Sequence, residues 1–443
     1  MEKQLEGRAV AVVGGATAGA EVAFKLAEAG ATVVVFEQNR RPYGKVEDGL
    51  PRWHAAQRTK EYGVIDKKLS HPNVSFVPDT KFGYDVTLDD LENHWGFNIV
   101  VLALGAWRDR PLPLNGADTF VGKGLVYQNP LIYWFNHKHE PGYSGETFST
   151  PDGAIVIGGG LASIDIAKIM MLETVREKLA ERGYDIDLAE IEHKGIDKTL
   201  AKLEIDFADL GLQGATLYYR KRREDMPLVA IPRGADEKRR ERAFASRARV
   251  ADKAQSKYLF NIAPLMNPQE LIVEDGTVVG VRFQPMKHED GKFVAEGEPV
   301  DRRGPVVVSS IGSIPEPLPG VPMKGELFDF VVLDEVNEVV HLAGHPTVYA
   351  AGNAVTGKGN IAASKKHGTE VAEQVANWLL GEGDRPDVET ANEAHASAVG
   401  EAIVEKLIGS EPLSTEAMNA LHGRVKERWD AVGYSGNYAA WMA

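Results

Sequence analysis

Residues 12–19 read VVGGATAG and residues 155–163 read IVIGGGLAS, two glycine turns of one design 144 residues apart. Each follows an apolar run and opens an amphipathic one, the pattern of a buried strand, a tight turn and a helix. Around the first turn, AVAVV, AEVAFKLAEAG and ATVVVFE make a strand–helix–strand unit over Arg8 to Glu37, with Gly30 placed to end the helix. Glycines in such a turn let the backbone approach a pyrophosphate, and the helix N-terminus offers unpaired N–H groups of partial positive charge. Gly14 and Gly19 hold the outer positions of the first turn, Gly15 stands beside Gly14, and Ala16 adds a methyl at the middle position. In the second turn Gly158 and Gly160 are in place, Leu161 opens the helix and Ser163 takes a third position that only has to be small.

The two units differ at the end of the next strand. The first offers Glu37, 23 residues after Gly14, followed by Gln38; the second offers Arg220, Lys221, Arg222 and Arg223. An acid there accepts hydrogen bonds from ribose hydroxyls and repels a 2'-phosphate, whereas a basic cluster attracts that phosphate. The expectation is FAD at the first turn and NADP at the second, with NAD as the alternative nicotinamide cofactor. One charge-assisted contact is worth about 1.5–3 kcal/mol, or roughly ten- to a hundredfold in preference.

The fold class expected is α/β, two Rossmann-like dinucleotide-binding domains arranged as in glutathione reductase, plus a helical C-terminal extension. Each half has a later strand ending in glycine and then prolines: NIVVLALG, closing on Gly105, before AWRDRPLPLNG, and PVVVSSIG before SIPEPLPGVP. TVYAAGN, with Gly352 and Asn353, precedes a further glycine loop and helix. The division expected is a discontinuous FAD-binding domain over 1–115 and 330–382, an NAD(P)H-binding domain over 116–329 interrupted by a charged helical insertion at 172–213, and the extension from 383 to 443. In that extension STEAMNALHGRVKERWDAVG predicts a helix stopped by Gly433, and the aromatic tail YSGNYAAWMA is expected to pack on its own body or on a second subunit.

Composition narrows the chemistry. The 443 residues hold no cysteine, which excludes disulfides, a dithiol redox centre, thiolate zinc sites and self-supplied iron–sulfur ligands within them. Redox chemistry would need a bound organic cofactor. A net charge of -14 argues against nucleic-acid binding, although residues 220–249 carry 11 Lys/Arg against 5 Asp/Glu. No apolar run reaches the roughly 18 residues of a membrane span, and MEKQLEGR resembles neither a signal nor a transit peptide, so the expected location is cytoplasmic. The pairs HKHE and HLAGH lack the spacing of a metal site, and no metal is expected.

The order of motifs resembles the adrenodoxin reductase and ferredoxin–NADP reductase group of two-dinucleotide flavoproteins, which includes the glutamate synthase small-subunit domain. RRPYGKVEDGLP, KFGYDVTLDDL, YWFN, YRKRREDMP and SSIGSIPEPLPGVP carry the likeness; the insertion and the tail have no counterpart. The resemblance implies FAD contacts at Gly14, Gly19, Glu37, Gly44, Leu50 and Val86, and at Gly359 and Ile361 near the flavin's pyrimidine end. It also implies a role in proton movement for Asp165, with His54 lying one residue from the position of the family's histidine, which Trp53 occupies. Ala16 and Asn353 depart from the family pattern.

The function implied is an FAD-dependent NAD(P)H oxidoreductase exchanging electrons with a ferredoxin-like or iron–sulfur protein, the basic stretch 233–249 serving as its docking patch. Two alternatives stand beside it: the reductase subunit of a larger iron–sulfur complex, with homo- or hetero-oligomer contacts through the extension, and a nucleotide-binding subunit without turnover.

Overall fold

The computed structural model describes residues 4–229, 231, 236–335, 337–356 and 389–443. Strands β1 (Ala9–Val13), β2 (Thr32–Phe36), β3 (Val74–Val77) and β4 (Ile99–Leu102) run parallel. The chain leaves this sheet through β5 (Arg108–Asp109), builds a second unit from β6 (Leu125–Tyr127) to β14 (Val307–Ser310), and returns through β15 (Ser313–Ile314), which pairs antiparallel with β5. After the hairpin of β16 (Met323–Lys324) and β17 (Leu327–Phe328), strands β18 (Phe330–Asp334), β19 (Val339–Leu342) and β20 (His345–Ala350) complete the first sheet. Its order is β18-β19-β20-β4-β1-β2-β3, with β20 parallel to β4.

Because β1 and β2 are buried on both faces, they read as unbroken apolar runs. Val10, Val12, Val33 and Val35 face helix α1 (Thr17–Glu28), while Ala9, Ala11, Val13 and Val34 face the other way. Two helices follow the second strand, the short α2 (Gly44–Asp48) and, after a turn at Arg52–His54, the longer α3 (Ala55–Leu69).

In the second unit β7 (Ile155–Gly158), β8 (Thr216–Tyr219) and β9 (Asn261–Pro264) join β6 and β14 in the all-parallel order β6-β14-β7-β8-β9. Val156, Leu217 and Val308 pack beneath helices α4 (Gln128–His137) and α5 (Leu161–Glu181), with α6 (Leu188–Lys194), α7 (Ile196–Lys202) and α8 (Glu237–Tyr258) in the same layer. The opposite face carries Ile155, Ile157, Tyr218 and Val307 against an antiparallel sheet of β10 (Met266–Glu274), β11 (Thr277–Glu289), β12 (Lys292–Ala295) and β13 (Val300–Arg303). The sequence showed only TVVGVRF of this sheet, because β12 and β13 bury no residue fully and leave no alternation to read.

The insertion and the extension are both integral. Helix α5 runs on to Glu181, and Ile191, Ile196 and Leu200 add α6 and α7 to the second unit's core. After the four-residue α9 (Asn353–Thr356), the described chain resumes at α10 (Glu389–Ile408). This helix lies on α1: a Cβ on Gly400 would stand 3.2 Å from that of Lys25, and Lys25 pairs with Glu401 at 3.1 Å. Helix α11 (Thr415–Val432) starts at a Ser414 cap, ends at Gly433 (φ +70°), and sends Leu421 and Val425 into the core on the sheet's other face. The tail packs on its own body. Trp429 Nε1 donates to the Phe76 carbonyl, the Tyr438 hydroxyl of α12 (Tyr438–Met442) to Asp66, and Trp441 Nε1 to the Arg40 carbonyl, at 2.8, 2.7 and 2.8 Å.

Candidate functional site at the two glycine turns

The first turn opens one end of a cleft. Gly14 has φ +99°, and a Cβ there would meet the Ala103 carbonyl at 2.5 Å; one on Gly19 would stand 1.8 Å from the Gly14 carbonyl, so these glycines let the turn, β4 and α1 close up. Ala16 is the N-cap of α1 and supplies no side-chain cap, so the helix's first N–H groups have no side-chain acceptor from it. The methyl of Ala16 occupies the space above Gly44, whose own Cβ would lie 2.9 Å from it. Gly14, Ala16, Glu37, Gln38, Gly44 and Gly105 line the cleft together with Thr80, Lys81, Phe82, Trp107, Glu316 and Phe328.

Glu37 has a second task that its sequence position did not reveal. Its Oε2 accepts from the Gly15 N–H at 2.9 Å and its Oε1 from the Asn39 N–H at 3.0 Å, so the carboxylate ties the glycine turn to the loop after β2. Burial pushes its pKa up to about 7 against the lowering effect of these N–H groups. Each oxygen keeps a further lone pair for a ribose hydroxyl.

Leu50 and Val86 are not among the residues that line this cleft. Leu50 belongs to the core of the second unit, drawn there because the Asn136 amide of α4 donates to the carbonyls of Glu47 and Leu50, both at 3.0 Å. Val86 is buried with Phe82 and Leu88 beneath the cleft. Gly352 (φ +72°) abuts α1, where its Cβ would stand 2.8 Å from that of Ala18. Asn353 opens α9 with Oδ1 buried and accepting no hydrogen bond among the described residues. Gly359 and Ile361 lie outside the described residues. A glycine cradle, an uncapped helix end and an orphaned amide oxygen suit a dinucleotide with a polar ring system.

The second turn repeats the glycine packing and differs in its charges. A Cβ on Gly158 would meet the Ser310 carbonyl at 2.2 Å, and Ser163, fully buried, donates its Oγ to that same carbonyl at 2.9 Å, fastening α5 to β14. Gly159 is flanked by the Tyr219 ring, and nothing crowds Gly160. Leu161 starts α5 and packs against the core. Of the basic cluster after β8, Arg222 is held by Asp225 at 2.8 and 3.1 Å, and Arg223 reaches Asp252 and Gln255 on α8. Arg220, exposed, and Lys221 form no ion pair among the described residues.

Asp165 is buried within the first turns of α5; burial foremost, then Glu192 and to a lesser degree the Asp165 charge hold the Tyr258 phenol well above its usual range. One turn on, Lys168 donates to Glu192 of α6 at 2.8 Å, with its ammonium 4.5 Å from the ring centres of both Trp53 and Tyr258. Trp53 Nε1 in turn donates to His54 Nε2 at 2.9 Å. His54, Trp53, Lys168, Glu192 and Tyr258 thus form one connected group, with Asp165 acting on Tyr258 through its charge; Trp53 and Lys168 carry no motif. Thr80, Lys81 and Trp107 were also missed, although each follows a strand of the parallel sheet at the end where ligands bind.

Residues 8–200 match the family model for pyridine nucleotide-disulphide oxidoreductase. The chain is 31% identical to the glutamate synthase [NADPH] small chain of Bacillus subtilis over 169 residues, 37% of this chain and 32% of that one. It is 28% identical to the mitochondrial NADPH:adrenodoxin oxidoreductase of Arabidopsis thaliana over 37% and 33% of the two chains. The NADP(+)-dependent formate dehydrogenase subunit beta of Moorella thermoacetica aligns over 98% of this chain and 53% of its own length at 24% identity. The match thus spans about a third to a half of these curated relatives. Among solved structures, FprA from Mycobacterium tuberculosis (His57Gln mutant) superposes with a TM-score of 0.64 at 18% identity, covering 96% of this chain and 91% of that one, which shows the fold. The chain thus resembles the pyridine nucleotide-disulphide oxidoreductase family over residues 8–200, is similar in sequence to an NADPH:adrenodoxin oxidoreductase over about a third of its length, and shares the fold of FprA across nearly its whole length.

Proposed function

We propose that this chain is an FAD-dependent NAD(P)H oxidoreductase that exchanges electrons with an external iron–sulfur or ferredoxin-type protein. The observation that carries the reading is the contrast between two like turns: Glu37 lines the cleft at the first, and after the second Arg220, exposed, and Lys221 form no ion pair among the described residues. When bound, the cofactors would supply the chemistry, hydride transfer between nicotinamide and flavin. The chain binds and orients. Gly14, Ala16 and the start of α1 would hold the FAD pyrophosphate, Glu37 and Gln38 the ribose side, and Gly158 and Gly160 the nicotinamide dinucleotide. Arg220 and Lys221 would take its 2'-phosphate. Among the described residues no helix is long and apolar enough to cross a membrane.

A second reading, the reductase subunit of a larger complex, is favoured by the alignment with a formate dehydrogenase beta subunit, which runs through both the insertion and the extension. The absence of cysteine places any iron–sulfur relay outside these 443 residues. The test is the visible spectrum of the purified protein, followed by anaerobic additions of NADPH and of NADH. A flavin band bleached at lower concentration by NADPH is expected. A colourless protein overturns the enzyme reading, and bleaching by NADH alone removes the role of Arg220. Co-purification with a cysteine-rich partner decides for the complex.

A further inference from the structure

A second cavity, of about 260 Å³, lies between the two units and is walled by Lys45, Asp48, Gly49, Trp107, Asp109, Asn129, Pro130 and Tyr133. Trp107 borders both this cavity and the cleft at the first glycine turn, and Gly44 of that cleft precedes Lys45 in the chain. With its pyrophosphate at Gly14, FAD would have Glu37, Gln38 and Thr80 on its adenosine side, and its flavin arm would pass Gly44 and Trp107 toward the second cavity.

The ammonium of Lys45 is hydrogen-bonded there by neutral groups. Lys45 Nζ donates to Asn129 Oδ1 at 3.2 Å and to Ser313 Oγ at 3.1 Å, both neutral acceptors, and lies 5.7 Å from the centre of the Trp107 ring. Among the described residues no carboxylate comes within ion-pair distance of it. Asp109 is occupied by the Asn129 N–H at 3.2 Å, and Asp48 by the His137 ring at 3.0 Å. Burial lowers the Lys45 pKa to about 8 in spite of both acids, and raises that of Asp109 to about 6. A desolvated ammonium facing a cavity is costly until a negative partner arrives.

Resting on the FAD reading above, we propose that Lys45 faces the flavin ring and stabilises the negative charge that the ring gains on reduction, so that this chain holds its FAD at a raised potential. Lys45 is a tuning residue: it accepts no proton and no hydride, and its effect is electrostatic.

The test uses the FAD-loaded protein and two readouts, the two-electron midpoint potential at pH 7 and the affinity for sulfite, which adds to flavin N5 and leaves negative charge on the ring. In Lys45→Met, sulfite binding should weaken at least tenfold and the potential should fall by the equivalent, about 30 mV for two electrons. Lys45→Arg should keep both values, and Asp109→Asn, which removes an opposing charge, should move both in the other direction. Lys45→Met that holds FAD with both readouts unchanged overturns the proposal, as does a shift of Asp109→Asn in the same direction as Lys45→Met. If Lys45→Met retains no flavin, the direction of the Asp109→Asn shift decides alone. A colourless wild type would instead remove the FAD reading itself.

Discussion

The two glycine turns use one backbone solution and opposite charges. In both, missing side chains let helix, strand and neighbouring strand close to contact: Gly19 on the Gly14 carbonyl, Gly158 on the Ser310 carbonyl. What differs is the group after the next strand. Glu37 is drawn inward and braces its own turn, whereas Arg220 stays in solvent. In the proposed function, glycine spacing makes each turn a dinucleotide loop, and the charge beyond it selects which dinucleotide.

The contrast can be broken at several depths. Gly19→Ala and Gly158→Ala each drive a Cβ into a backbone carbonyl, at 1.8 and 2.2 Å, and should destabilise by about 1–3 kcal/mol or more. The first should also empty the protein of flavin, read at 450 nm, while the second should leave flavin bound and abolish bleaching by NADPH.

Glu37 should make folding pH-dependent. Its folded pKa of about 7 lies above the unfolded 4.5, so its contribution is fully present below pH 4.5 and is lost as pH rises through 7. The full swing amounts to about 3 kcal/mol. Urea unfolding of wild type and Glu37→Gln at pH 5 and pH 8 should show the variant with the smaller difference.

Arg220→Ala combined with Lys221→Ala should lower kcat/KM for NADPH by roughly ten- to a hundredfold and leave that for NADH unchanged. An equal loss with both cofactors would show that the cluster supports the fold instead.

Ala16→Gly should have the smallest effect, with FAD retained. The entropic penalty of glycine, about 0.5–1 kcal/mol, is partly offset because glycine is a better N-cap than alanine. Loss of flavin in this variant would mean that the methyl above Gly44 is required.

The parallel strands were legible because burial on both faces leaves an unbroken apolar run, and the α11 helix because Ser414 and Gly433 mark its ends. The antiparallel sheet β10–β13 was hidden by solvent exposure. Within the site, Gly14, Glu37 and Gly158 could be read from spacing. Leu50 could not be placed, since its position depends on Asn136, 86 residues away. The partners of Arg222 and Arg223, and the array through Trp53 and Lys168, depend equally on contacts that no local pattern announces. Lys45 was hidden for another reason: a lysine in a loop resembles a solvated surface charge until the second unit closes over it.

The return of the chain to its first sheet has a consequence for assembly. Every strand of the second parallel sheet lies between residues 125 and 310, whereas the first sheet needs β18–β20 and is covered by helices that extend to residue 432. During synthesis the middle of the polypeptide can therefore be finished while the sheet begun at Ala9 still shows bare apolar flanks. Closing it means bringing Arg8 to Ser410, whose carbonyl it reaches at 2.6 Å. Such a long loop closure is slow, which makes the first half, begun earliest, the last to mature and the one in greatest need of protection from aggregation on the way.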